Sequence, residues 1–284
     1  MRICVLVLFA CSLLDVAPAL AHGPQLQINN VGGKIVTREV LTDIYTPLTD
    51  PKSVYVMPVL VYGGAWYARP ETKVHPVSHF LEGQPVYYSG PGLAYGVGQT
   101  FAAGGIFTLQ FDDGLRLWNG SGFVDASATA LQAYRGGSIG ASGELINPAA
   151  SAVSSDSAPF AGLNFPPVPA SNDDQSHSTS RLRFLGDGTT TPLGVGTTAT
   201  EPVDGVYLAR FVIASTQAAL TSSDPFYFVM HKNAAWNEVQ AAVRSLDVPA
   251  AQVQYLAVPE PASIVLAGIA VAAIGVTLRR RRKE

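Results

Sequence analysis

Cysteine is almost absent: the 284 residues hold two, Cys4 and Cys11. Both fall in the first 21 residues, which read as a removable leader, so the mature protein is expected to contain none. That excludes disulfides, cysteine-ligated zinc and thiol nucleophiles. Charge is also sparse, at 14% of residues. The stretch from Glu260 to Glu284 carries five basic and two acidic residues, hence +3, and the leader is neutral. A whole-chain charge of −3 therefore leaves the body between them at −6. Such a body disfavours nucleic acid or anionic lipid as its main partner. The phosphate-loop glycine pattern is missing as well.

What is present begins with the leader. Arg2 supplies a positive start, Ile3 to Leu14 an apolar run, and Ala19-Leu20-Ala21 small residues around a cut between Ala21 and His22. Asp15 and Pro18 interrupt the run, which is too short for a spanning helix of about 20 residues. The competing reading is a lipobox at Leu8 to Cys11. Phe9 is bulky there, and little apolar sequence precedes Cys11.

From His22 to Tyr255 the pattern is that of short strands punctuated by Gly and Pro. Gln25 to Ile28 and Lys34 to Val40 flank a turn, which predicts a hairpin. Ser53 to Tyr62 is rich in β-branched and aromatic residues, and its Pro58 predicts an edge strand or a bulge. Gly105 to Trp118 reads as a second hairpin about Asp113-Gly114. Arg181 to Leu185, Gly205 to Ser215 and Pro225 to Lys232 add further strands. The dominance of Ala, Ser and Gly from Ala126 to Ala161 predicts a long loop or poorly ordered insertion. One helix is expected over Ala234 to Leu246, capped by Asn233, with Trp236, Val239, Val243 and Leu246 on one face. It is expected to close one end of the body, Trp236 docking on Tyr207, Phe226 and Phe228. The fold class expected is all-β: an antiparallel β-sandwich or jelly roll with one short C-terminal helix.

The chain then changes character. Pro259-Glu260-Pro261 is followed by an uncharged run from Ser263 to Leu278 and by the cluster Arg279, Arg280, Arg281, Arg282. The run is long enough for a short transmembrane helix. The arginines act as a membrane stop and place that end in the cytoplasm, which agrees with a leader that exports the body. This order resembles the PEP-CTERM sorting tail of Gram-negative bacteria. The resemblance implies recognition by exosortase, a membrane-embedded cysteine transpeptidase, with cleavage near Pro259, Glu260 and Pro261. It also implies an inner-membrane precursor and a final place at the cell surface or in the extracellular matrix. The body more loosely resembles exported PEP-CTERM proteins, through its opening hairpin, Leu115 to Gly120, and Asp204 to Val229. That likeness implies a β-sandwich and no established activity.

Four regions follow: a signal peptide over 1–21, an exported domain over 22–246, a linker over 247–258 and the sorting tail over 259–284. The function expected is that of a non-enzymatic surface or matrix protein with a structural or interaction role, associated with polysaccharide, and without a cofactor. The alternative takes His22 as a metal ligand. If the cut follows Ala21, its amino group and ring can chelate copper, in the manner of secreted copper-dependent polysaccharide monooxygenases, which the His22-Gly23 start resembles. His75, His79 or His177 could complete such a site, and no spacing selects among them. His75 and His79 alone lack the further ligands that zinc needs. Asp112-Asp113, Asp173-Asp174 and Asp187 sit beside Gly, Ser or Asn and read as turns, without calcium-loop spacing. Asn119-Gly120-Ser121 matches a glycosylation sequon, but its place after a strand predicts a turn.

Overall fold

The computed structural model describes residues 25–41, 50–62, 65–68, 92–94, 101–126, 129–135, 138–139, 145–146, 151–155, 162–165, 167–168, 177–178, 181–186 and 201–256. The leader with His22, as well as His75, His79, Asp173, Asp174, Asp187 and the tail from residue 257, lie outside these. The opening hairpin forms as expected, from β1 (Gln25–Val31) and β2 (Lys34–Leu41). Gly32 and Gly33 turn it at φ of 60° and 85°, a region that a Cβ disfavours. The Asn30 side chain accepts the Gly33 N–H at 2.8 Å.

The next strands are β3 (Val54–Tyr62), β4 (Ala65–Ala68), β5 (Gly92–Ala94), β6 (Phe107–Phe111), β7 (Arg116–Trp118) and β8 (Phe123–Asp125). The stretch expected to be a loop contains β9 (Thr129–Arg135), β10 (Ser138–Ile139), β11 (Leu145–Ile146) and β12 (Ser151–Ser154). Small residues there permit close strand pairing and do not prevent it. The series continues with β13 (Gly162–Asn164), β14 (His177–Ser178), β15 (Arg181–Gly186), β16 (Gly205–Ser215) and β17 (Phe226–Lys232). Helix α1 (Trp236–Arg244) and β18 (Val253–Tyr255) complete the described chain.

Among the described residues the fold is mostly β, with few helices and no closed barrel. One sheet runs β14-β5-β1-β2, and β10 pairs with β11. A large sheet runs β12-β9-β15-β4-β3-β17-β16-β6-β13, with β18 beside β3, β7 beside β16, and β8 beside β7. Phe184 of β15 and Tyr207 of β16 stand four places apart in that order, yet their rings are 5.1 Å apart. The large sheet therefore bends until its two halves face across one core. The smaller sheet adds Leu26, Ile28, Ile35 and Leu93 to the same core.

Pairing is mixed, which corrects the antiparallel expectation. β3 is parallel to β17 and to β18, and β1 is parallel to β5. β17 and β18 flank β3 in the same direction, so the chain must cross over between them, and α1 lies in that crossover. It lies over the outer face of the sheet and not at one end of the body. Val239, Ala242 and Val243 pack there against Val54, Val56, Val206, Leu208 and Val229. Tyr207, Phe226 and Phe228 point into the main core on the opposite face, so they do not receive Trp236. Both faces of the first half of β16 are covered, and Val206 to Ala209 are all buried. Beyond Arg210 the strand alternates, as does β6.

Three local expectations also change. β6 and β7 do not pair with each other. Both run antiparallel to β16, end to end along one edge, and Asp112 to Leu115 is a kink between them. Pro58 sits inside the sheet. The Leu256 N–H donates to Val56 O at 2.8 Å, so the peptide groups of Val56, and two residues on those of Pro58, face that side. β18 ends opposite Val56, and β4, which runs the other way, ends opposite Val59. The donor that proline lacks falls in the gap between two partners. Asn233 does not cap α1. The cap position is Ala235, with no side-chain bond, while Asn233 takes a left-handed φ of 49°, which asparagine tolerates.

Candidate functional site

The chain leaves the body through β18, where the expected linker joins the sheet. Ser53 N–H donates to Gln252 O at 3.0 Å, and Leu256 N–H to Val56 O at 2.8 Å. The Gln254 amide clamps the backbone of one residue of β2, Val40. Its Oε1 accepts the Val40 N–H at 2.7 Å and its Nε2 donates to Val40 O at 2.9 Å. Lys52 Nζ donates to Ala251 O at 2.8 Å. Three chain steps separate Leu256 from Pro259, a reach of at most about 11 Å. Beside this exit the rings of Trp236 and Tyr255 lie 5.3 Å apart.

A second polar cluster sits at the end of β17. The Lys232 side chain is only 4% exposed. Its ammonium lies 2.6 Å from Asp204 Oδ1, 2.8 Å from Glu201 Oε1 and 4.6 Å from the centre of the Trp66 ring. Asn233 Nδ2 donates to the same Asp204 oxygen at 3.1 Å. Burial pulls the Lys232 pKa down, but the two carboxylates outweigh it and the net shift is upward. The Lys232 hydrogen bond holds the Asp204 carboxyl below its usual range. Such an ammonium stays charged, so the cluster acts as a clasp on the segment before β16 and not as an amine nucleophile. The Tyr207 hydroxyl ties down the same segment by donating to Val203 O at 2.7 Å. Burial pushes its pKa up to about 12. Burial also raises the Tyr55 hydroxyl, which donates to Lys52 O at 3.0 Å.

The other residues singled out in the sequence fall as follows. Asp112 pairs with Arg210 at 2.7 Å. Asp113 pairs with Arg116 at 2.9 Å and accepts the Gly114 N–H. Asn119 accepts from the Ser121 and Gly122 N–H groups, and Gly120 has φ of 95°, so the sequon is the turn of the β7–β8 hairpin. His177 lies in β14, opposite Ala94. His231 is buried beside Trp236, with ring centres 6.2 Å apart, and its Nε2 has no hydrogen-bond partner. Desolvation lowers its pKa and keeps it neutral. Among the described residues no three His, Cys, Asp or Glu side chains are grouped to hold a metal ion. Gly136 to Gly140 spells Gly-x-Ser-x-Gly. Its Ser138, however, lies in β10, paired antiparallel with β11, and not on the strand-to-helix turn that exposes a hydrolase nucleophile. Sequence reasoning missed Gln254 and Lys232. The polar–apolar alternation through Gln252, Val253 and Gln254 was the available signal for β18.

Beyond Leu256 the comparison with protein families decides the matter. Residues 257–282 match the family model described as the PEP-CTERM protein-sorting motif. The chain carries a PEP-CTERM sorting motif. The match takes in Pro259, Glu260 and Pro261 as well as Arg279 to Arg282, and it begins one residue after the last backbone bond to the sheet. A PEP-CTERM motif implies an exported, membrane-anchored precursor that exosortase processes for the cell surface. No helix among the described residues is long and apolar enough to cross a membrane, and Ser263 to Leu278 lies outside them. No curated protein and no solved structure matches the chain.

Proposed function

We propose that this PEP-CTERM protein is a non-enzymatic β-sandwich of the cell surface or extracellular matrix, with a structural or interaction role in association with polysaccharide. The observation that carries the reading is the junction: a packed β-body whose last described strand is locked into its sheet is followed directly in sequence by the sorting motif. That is the build of a cargo in which the body is the delivered part. The ion pairs of Asp112, Asp113 and Lys232 support it, since each is engaged in holding a loop or a kink. Replacing Glu260 with Ala tests the delivery. The variant is expected to stay in the membrane fraction, and release equal to that of the parent refutes the sorting reading. Co-sedimentation of the released body with the producing strain's extracellular polysaccharide tests the association. A body that stays wholly in the supernatant refutes that part.

A further inference from the structure

We propose that the Trp236–Tyr255 face is the surface on which the body rests against lipid while the precursor is still anchored. The proposal depends on the membrane anchor and goes beyond it by assigning the body an orientation. Tether length carries the argument. Leu256 is fixed to Val56 by its 2.8 Å bond. The uncharged run begins at Ser263, seven steps later, and seven residues reach at most about 25 Å. A compact body of this length is roughly 45 Å across by the usual size scaling. The half of the body away from Leu256 is therefore kept off the bilayer, and the half around Leu256 faces it.

Two aromatic side chains stand on that side. Tyr255 is 39% exposed. Trp236 is partly buried at the start of α1 and in ring contact with it. Trp and Tyr collect at membrane–water interfaces because each joins an apolar ring to a polar tip. The contact is aromatic and not electrostatic, which suits a body of net charge −6. The chain length from Leu256 to Pro259 is at most about 11 Å, and to Pro261 about 18 Å.

The test uses the anchored precursor, residues 22–284, inserted through its tail into phosphatidylcholine vesicles with or without bromine-labelled acyl chains. Trp66→Phe and Trp118→Phe leave Trp236 as the sole tryptophan. The bromolipid is expected to quench its emission at least about twofold, as for a ring at headgroup depth. Emission unchanged by bromolipid overturns the proposal. If that emission responds instead to added polysaccharide, the pair is a glycan platform. Flotation separates the two levels: a chain that does not float overturns the anchor and this proposal together, and one that floats unquenched overturns this proposal alone. Because Trp118 is buried, spin labels at Asn237→Cys and Val31→Cys repeat the measurement with all tryptophans in place. Asn237 adjoins Trp236, and Val31 is exposed at the far tip of the β1–β2 hairpin. Position 237 is expected to relax with lipid-soluble oxygen and position 31 with an aqueous reagent. Equal aqueous access at both overturns the proposal.

Discussion

Gln254 is the residue by which the exit strand is held to the rest of the body, and its removal has a calculable cost. Gln254→Ala takes away the partners of the N–H and the C=O of one residue, Val40, whose side chain is buried. A buried polar group that loses its partner costs about 1–3 kcal/mol. The site is partly buried and water can reach some of it, so we expect a total of about 2–3 kcal/mol. For a body of this size that is a fall of roughly 5–10 °C in Tm. Urea unfolding of the body ending at Leu256, followed by far-UV circular dichroism, measures it. Gln254→Glu sharpens the test. At neutral pH the introduced carboxylate can still accept the Val40 N–H, but its second oxygen faces Val40 O without a proton. The charged form is disfavoured in the fold, so the carboxyl pKa rises above its unfolded value of about 4.3. Its contribution is then fully present below that pH and is lost as the pH climbs through the raised value. We expect the Glu variant to be weaker than Ala at pH 7 and to approach the parent near pH 4. A cost below about 0.5 kcal/mol for Gln254→Ala, or a Glu variant insensitive to pH, would show that the clamp does not hold β18.

Other outcomes can be checked with the same unfolding measurements. Trp236→Ala is expected to cost about 2 kcal/mol, below the 3–5 of a fully buried aromatic, because the ring is partly exposed. A cost above about 4 would place it in the core. The Lys232–Asp204 pair gives stability that is fully present above the ordinary carboxyl value of 3.8 and is lost as the pH falls through the depressed pKa of Asp204. At the other end it is fully present below 10.5 and is lost as the pH rises through the raised pKa of Lys232. Lys232→Met is expected to flatten both limbs, and an unchanged pH profile refutes the clasp.

Strand positions were legible where a run of β-branched and aromatic residues is bounded by turn residues. β6 alternates in sequence and in burial, and β16 and β17 begin and end within a residue of their patterns. Partners were not legible. Asp113-Gly114 has the composition of a hairpin turn, but the hydrophobic pattern cannot say that β6 and β7 share a third strand instead of each other. Pro58 carries the composition of an edge, and its tolerance depends on where two distant strands stop. Asn233 has a cap residue's chemistry, but Asp204, from 29 positions earlier, takes its side chain. The sorting motif was the most legible feature because its signal is purely linear: a triplet, an apolar run and a basic cluster need no tertiary partner to be recognised.

The parallel strands beside β3 set the order in which the body can be finished. β3 is a central strand of the large sheet, yet both strands flanking Val54 to Val56 come from the last part of the described chain. Ser53 and its partner Gln252 are 199 residues apart in sequence. Closing contacts of that span is entropically costly and slow. A chain delivered across a membrane from its N-terminus holds the Val54 to Val56 part of β3 with both edges open until β17 and β18 have emerged. By then the sorting motif is entering the bilayer. The last strand to complete the sheet is also the last segment to leave the export channel, so the end of translocation and the closure of the fold become one event. A chain shortened to residue 252 would lack that strand altogether, leaving the outer edge of Val54 to Val56 as an open template for another chain.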